Sequence, residues 1–376
     1  MATPVLLERV RSDVDVLARA GLPLDDFLVE AAESLQRAVP WTAACIATID
    51  PATRIVSSAR KYGGLDGRHE HDIEWGHIEY AGEDTTAYRE LHEAGEIAVG
   101  MHVVTGGDVE RSPRMEQLIS PRFGYADEAR MLFADGGSLW GGIAIFRGGD
   151  DPSFSVEETD FLATLAPAFA RGVRAGILAQ IAGAGTSVNI GPAVAIVNAR
   201  NEISQLSPGA EARIRQLGAH ARTGDPLQTI TSLAASARRY AAGDARSVPR
   251  VRVRTFDGAW LLLHASPLAS ADGSSGDVVV TIEEARPPEI IDLVVSAYDL
   301  TPRERDVTRM VLQGLDTKEI AAALFLSPYT VQDHLKSIFE KAGVRSRREL
   351  IATIAFEQYV PRMDAQLGPT GTYASV

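Results

Sequence analysis

Three side chains in SPYTVQDHLKSIFEKAGVRSR (residues 327–347) can hydrogen-bond to flat polar edges: Gln332, Asp333 and Lys336. Their spacing puts them on one face of a helix, opposite Val331, Leu335, Ile338, Phe339 and Ala342. An amide can pair bidentately with adenine, a carboxylate can accept from the cytosine amino group, and an ammonium can reach guanine or a phosphate. Asp333 is equally readable as a solvated charge beside such a contact. On a nucleic-acid face it is tolerable only where the phosphates are anchored elsewhere. Thr317, Lys318, Arg345, Arg347, Arg348 and helix N-terminal amides can supply that anchoring.

A second cluster lies in GRHEHDIEWGHIEYAG, where His69, His71 and His77 mix with carboxylates. Imidazole and carboxylate ligate zinc or iron, and on a strand His69 and His71 would point to one side. A solvated acidic loop is the plainer reading, and no further ligand stands at a fixed spacing. Trp75, Tyr80 and Tyr88 nearby suit the wall of a pocket for a small organic ligand, or ordinary packing. The lone cysteine, Cys45, falls in a predicted strand and reads as buried and inert. No G-x-S-x-G, phosphate-binding loop, H-E-x-x-H or paired-cysteine motif is present, so the sequence gives no grounds for an enzyme. It assigns no cofactor or metal.

The chain that must position these groups has 376 residues, 45% hydrophobic and 23% charged, enough for two or three domains. One cysteine fits a reducing compartment. The early charges in MATPVLLERVRSD leave no secretory core, and no apolar run approaches the ~18 residues of a membrane span. The expectation is a cytoplasmic protein with no membrane partner. The net charge of −13 argues against sequence-independent coating of nucleic acid. Residues 296–350 hold nine Lys and Arg against eight Asp and Glu, so this stretch is near +1 and the remainder near −14. A nucleic-acid contact therefore belongs to the C-terminal piece.

Three globular units are predicted. Residues 1–181 open with helical periodicity through Leu24, Phe27, Leu28, Ala31, Ala32 and Leu35. The strands AACIATID and RIVSSAR follow, then a weakly periodic stretch from 62 to 112. A hairpin is expected around Gly136-Gly137, and then a long helix capped by Ser155 and Glu158. Pro167 should kink that helix or shift its boundary. Residues 182–190 read as a linker. Residues 191–285 form the second unit: strands AVAIVNA and EISQL, two helices, then RVRVRTF, WLLLHASPL and DVVVTIEEA, with Asp257-Gly258 as a turn. Residues 296–360 carry four closely spaced helix starts, at Thr301, Asp316, Ser327 and Ser346, each with capping chemistry. Gly314 and Gly343 stand at helix C-termini. This is a compact helical bundle with a helix-turn-helix. Residues 361–376 read as a disordered tail.

The run LTPRERDVTRMVLQGLDTKEIAAALFLSPYTVQDHLKSIFEKAGVRSRREL resembles the LuxR-type (GerE) helix-turn-helix. The resemblance implies a four-helix, all-α domain whose third helix enters the major groove of double-stranded DNA. Thr317, Lys318, Ser327, Thr330, Gln332, Asp333 and Lys336, with Arg345 and Arg347, are then candidate DNA contacts. It departs from many members at Gln332, where they carry a basic residue, which bears on the preferred base sequence. In that family the fourth helix commonly supports dimerisation, here through Leu350, Ile351 and Ile354. RNA polymerase is a candidate further partner.

ARMLFADGGSLWGGIAIFRGGDDPSFSVEETDFLATLAPAFA resembles the ending of a GAF domain. AVAIVNARNEISQLSPGAEARI with RVRVRTFDGAWLLLHASPL resembles a shortened PAS domain. Both are mixed α+β folds that often enclose small ligands. Leu165, Phe169 and Val173 on the long helix are expected to join a homodimer interface. The resulting expectation is a DNA-binding regulator with a small-molecule effector in the GAF-like unit. Its alternative is a ligand-independent regulator whose N-terminal units dock a partner protein.

Overall fold

The computed structural model describes residues 2–135, 137–181, 192–217, 225–245, 247–255, 259–269, 275–356, 366–367 and 373–374. The chain divides into two compact units, one carrying both large sheets and the other the C-terminal helices.

The first unit starts with α1 (Pro4–Arg19) and α2 (Leu24–Ala38), which pack together, with Val10, Val14, Phe27, Leu28 and Leu35 buried. Next come β1 (Ala43–Asp50) and β2 (Ile55–Gly63), then α3 (Asp72–Ala81), α4 (Tyr88–Ala94), β3 (Ala98–Gly100) and α5 (Met101–Val104). After a wide helical turn at Met115–Phe123 come β4 (Asp127–Asp135), β5 (Ser138–Arg147) and α6 (Val156–Ile181). The five strands form one antiparallel sheet in the order β2-β1-β5-β4-β3. All eight residues of β1 are buried, as a central strand covered on both faces requires. The β4–β5 hairpin turns through Gly137 at φ 81, where the sequence expected it.

In α6 the predicted cap forms reciprocally: Glu158 N donates to Ser155 Oγ at 3.3 Å, and Ser155 N to Glu158 Oε2 at 3.0 Å. The helix runs on through Pro167, so the boundary is not shifted as expected. Packing on both sides of the proline offsets its missing donor: Leu162, Leu165, Phe169 and Val173 are buried. Phe169 stacks on Phe133 at 4.8 Å between ring centroids and meets Phe27 edge-on at 5.9 Å. This corrects the dimer expectation for Leu165, Phe169 and Val173, which are fully covered within their own unit. It also corrects the reading that no stretch approaches a membrane span. Val156–Ala179 is long and apolar enough by composition, and its apolar stripe is spent on this core.

The second sheet is built from β6 (Ala193–Val197), β7 (Ile203–Leu206), β8 (Arg250–Arg254), β9 (Trp260–Ala269) and β10 (Ser275–Glu284), in the order β7-β6-β10-β9-β8. Between β7 and β8 lie α7 (Ala210–Leu217) and α8 (Pro226–Ala242). The two sheets do not stand apart. Helix α8 packs along α3, and Arg252 of β8 forms a buried ion pair with Asp50 of β1 at 2.6 Å. The predicted linker at 182–190 and the Asp257-Gly258 turn lie outside the described residues.

The second unit contains α9 (Pro287–Ala297), α10 (Pro302–Leu312), α11 (Thr317–Leu324), α12 (Pro328–Ala342) and α13 (Arg347–Ile351), the last extended by a wider turn over Ala352–Phe356. Of the tail, only a short pairing of Gln366–Leu367 with Tyr373–Ala374 is described; the rest of the predicted disordered segment lies outside the described residues.

Candidate nucleic-acid interface and a buried cavity

Each C-terminal helix begins at the residue the sequence marks. Glu304 N donates to Thr301 Oγ1 at 3.3 Å and Thr301 N to Glu304 Oε2 at 2.7 Å. Asp316 Oδ1 accepts from Lys318 N at 2.7 Å and Glu319 N at 2.9 Å. Ser327 Oγ accepts from Thr330 N at 3.0 Å, and Ser346 Oγ from Glu349 N at 3.1 Å. Gly314 (φ 88) and Gly343 (φ 67) end α10 and α12 in the left-handed region that a Cβ disfavours. The turn after α11 departs from this pattern, because Phe325 occupies the same region at φ 54.

These caps fix the register of α12. Val331, Leu335 and Ile338 are buried, while Phe339 and Ala342 are only half-covered. Gln332, Asp333 and Lys336 stand exposed on the opposite face with Tyr329. Ser337, next to Lys336, turns inward and donates to Glu304 Oε1 at 2.6 Å. An open groove of about 570 Å³ beside α12 brings together Thr317, Gln332, Lys336, Arg345 and Arg347. Ser327 and Thr330 are occupied with capping, and Lys318 and Asp333 lie outside the groove lining. One nitrogen of Arg347, Nη2, is buried and has no hydrogen-bond partner among the described residues.

Sequence reading missed the wider part played by Glu304, legible only as a cap. Its carboxylate also accepts from Lys341 Nζ at 2.7 Å, tying α10 to the back of α12. Burial pushes this carboxyl up, and the bonds from Lys341, Ser337 and Thr301 outweigh that and hold it down at about 2. Dimerisation was expected of Leu350, Ile351 and Ile354. Leu350 and Ile354 are instead fully buried in the unit's own core; Ile351 remains half-exposed beside an apolar groove of about 540 Å³ with Arg347, Arg348 and Ala352.

In the first unit Trp75, Tyr80 and Tyr88 do converge. They line a small cavity with Cys45 and Arg130, closed on one side by Gln228 and Ser232 of α8. The space is about 20 Å³, room for a single water. Around it lies a buried charge network that no spacing announced. Arg130 Nη2 bonds Glu79 at 2.8 Å, and its guanidinium lies 3.7 Å from the Tyr88 ring centroid. Arg114 bonds Glu128 at 2.8 Å and Asp84 at 2.9 Å. Burial pushes the Asp84 carboxyl up, yet Arg114 with hydrogen bonds from Thr86 and Ser112 holds it well below the usual range. Burial pushes the Cys45 thiol up to about 12, away from thiolate chemistry.

The histidines are not arranged as a strand would place them. His69 and His71 lie in the turn before α3, paired with Asp72 at 3.0 Å and Glu74 at 3.3 Å respectively. No group of three or more His, Cys, Asp or Glu suited to a metal occurs among the described residues.

Residues 299–354 match the family model "Bacterial regulatory proteins, luxR family". The spore germination protein GerE of Bacillus subtilis is 40% identical over 55 residues, which are 15% of this chain and 74% of GerE. An HTH-type transcriptional regulator of Mycobacterium bovis is 54% identical over 52 residues, 14% of this chain but only 6% of that relative's length. Among solved structures, the GAF domain of a phosphoenolpyruvate-protein phosphotransferase from Coxiella burnetii aligns at TM-score 0.31 and 16% identity, covering 46% of this chain and 95% of that domain. With its four capped helices in the matched segment, the chain belongs to the luxR family of bacterial regulatory proteins.

Proposed function

We propose that this chain is a sequence-specific DNA-binding transcriptional regulator that acts as a homodimer, with its GAF-like module sensing a small ligand. The observation that carries the DNA-binding part is the polarity of α12: an apolar face locked in the core and an exposed face offering Gln332, Asp333 and Lys336. Arg345 and Arg347, in the same groove, supply phosphate contacts that compensate for Asp333. Two such helices in a dimer would read half-sites about one helical turn apart. A ligand would alter binding only by favouring one arrangement of the two DNA-binding units over the other.

The test is selection of duplexes from a random pool by the full chain, followed by titration at several salt concentrations. A selected site with inverted or direct half-sites and a steep salt dependence supports the reading. Equal, weak retention of all duplexes would overturn it. The size of the buried cavity favours a second reading, in which the N-terminal modules dock a partner protein without a ligand. Undiminished operator affinity in protein stripped of small molecules, with no bound mass in native mass spectrometry, would put that reading first.

A further inference from the structure

The wall that closes the GAF-like cavity belongs to the other sheet's module. Helix α8 approaches α3 so closely that a Cβ at Gly76 would lie 2.7 Å from Ser232 Oγ and 2.8 Å from Gln228 O. The seam is polar along its length. Asp225 N donates to Asp72 Oδ2 at 2.7 Å, Ser232 Oγ to Gly76 O at 3.3 Å, and Arg239 pairs with Glu90 at 2.7 Å. It is also incompletely satisfied. Arg89 is 5% exposed and bonds Ser236 Oγ at a long 3.3 Å, while its Nε and Nη1 have no hydrogen-bond partner among the described residues. Thr53 Oγ1, on the residue whose carbonyl accepts from Arg89, is likewise without one. A seam with unspent donors beside a cavity is held less tightly than the apolar core beneath it, and such regions open locally before the whole fold does.

We infer that α8 is a movable wall of this cavity: a small uncharged ligand enters when α8 lifts from α3, and Gln228 and Ser232 then contact it. The charge class follows from the walls. The charged residues lining the cavity are Arg130 and Glu79, already paired with each other at 2.8 Å, so the walls offer no uncompensated charge to hold an ion. Arg130 Nε makes no hydrogen bond among the described residues and lies 3.5 Å from Glu128 Oε1, so a ligand's acceptor would share it with that carboxylate. The purpose of the cavity rests on the sensory reading above; the movement of α8 does not.

Cys45 reports on that movement. It is the chain's single cysteine, it lines the cavity and it is 6% exposed. The full-length protein is treated with iodoacetamide or with iodoacetate of nearly equal size, and Cys45 modification is followed by mass spectrometry against the global unfolding rate. Alkylation by iodoacetamide should run at least tenfold faster than global unfolding. The preference for iodoacetamide should exceed that of a free peptide thiol. Arg239→Ala, which loosens the seam outside the cavity, should accelerate it about tenfold. Modification at the global unfolding rate, unchanged by Arg239→Ala, would overturn the movable wall. A greater preference for iodoacetate would overturn the charge class. If Cys45 is modified as expected but DNA affinity stays the same, the wall stands and the sensory reading falls.

Discussion

Glu304 of α10 and Lys341 of α12 are joined at 2.7 Å across the back of the helix that exposes Gln332, Asp333 and Lys336. The same carboxylate caps its own helix through Thr301 and holds Ser337. Glu304→Gln keeps the shape but removes the charge, and should destabilise the C-terminal unit by about 1–3 kcal/mol in urea unfolding. The pH dependence has a defined sign. The folded carboxyl lies at about 2, below its ordinary 4.5, so its stabilisation is present above pH 4.5 and is lost as pH falls toward 2. The loss should be on the order of 3 kcal/mol and absent in the Gln variant. Equal acid sensitivity of the two proteins would remove Glu304 from the account.

Gln332 and Arg347 line one groove but should fail differently on substitution. An amide reading a base edge contributes discrimination, so Gln332→Ala should cost about 1–3 kcal/mol at one position of the selected site and relax preference there. A guanidinium on a phosphate contributes affinity without sequence content. Arg347→Ala should weaken all duplexes alike and reduce the salt slope by about one. Anisotropy titrations on the selected site and its single-base variants separate the two. A uniform effect from Gln332→Ala would mean that it touches the backbone only.

Asp50 and Arg252 pin β1 to β8 from opposite modules, both nearly inaccessible to solvent. Asp50 Oδ2 accepts from Arg252 Nε at 2.7 Å and from its backbone N at 3.1 Å, and Oδ1 from Arg252 Nη2 at 2.6 Å. Arg252→Ala strands a buried carboxylate and should destabilise the first unit by about 3–5 kcal/mol. Asp50→Asn in that background should recover part of the loss, because the remaining group is neutral. A full double-mutant cycle in urea with near-zero coupling would show that the pair does not hold the modules together.

The C-terminal unit was readable because its information is local. Thr301, Asp316, Ser327 and Ser346 bond to amides within three residues, so a cap is visible in one turn of sequence. Helix α3 was hidden for the opposite reason. It is covered by its own sheet and by α8, and it buries Asp72 and Glu79 beside Trp75 and Tyr80, which erases the apolar stripe that marks a helix. Partners from distant segments neutralise those carboxylates, Lys61 for Asp72 and Arg130 for Glu79, and no spacing rule reaches them. The misassigned dimer stripe has the same root. Leu165, Phe169 and Val173 read as an apolar face, but periodicity does not say whether that face meets a second chain or its own sheet.

Phe325 stands at φ 54 in the turn before α12, and its side chain is 96% exposed. A residue with a Cβ pays roughly 1–2 kcal/mol in this left-handed region, and an exposed ring recovers nothing by burial. Glycine adopts the conformation freely but loses more entropy on folding, by about 0.5–1 kcal/mol. The balance favours glycine, so Phe325→Gly should stabilise the C-terminal unit by about 0.5–1 kcal/mol, raising its melting temperature by a few degrees. Calorimetry of the full chain reads this directly. Stabilisation with unchanged DNA affinity would mean that the ring serves neither fold nor operator. Stabilisation with weakened affinity would place the ring at the DNA. A lowered melting temperature would refute the strain argument, because the aromatic would then be holding the turn through contacts worth more than the left-handed penalty.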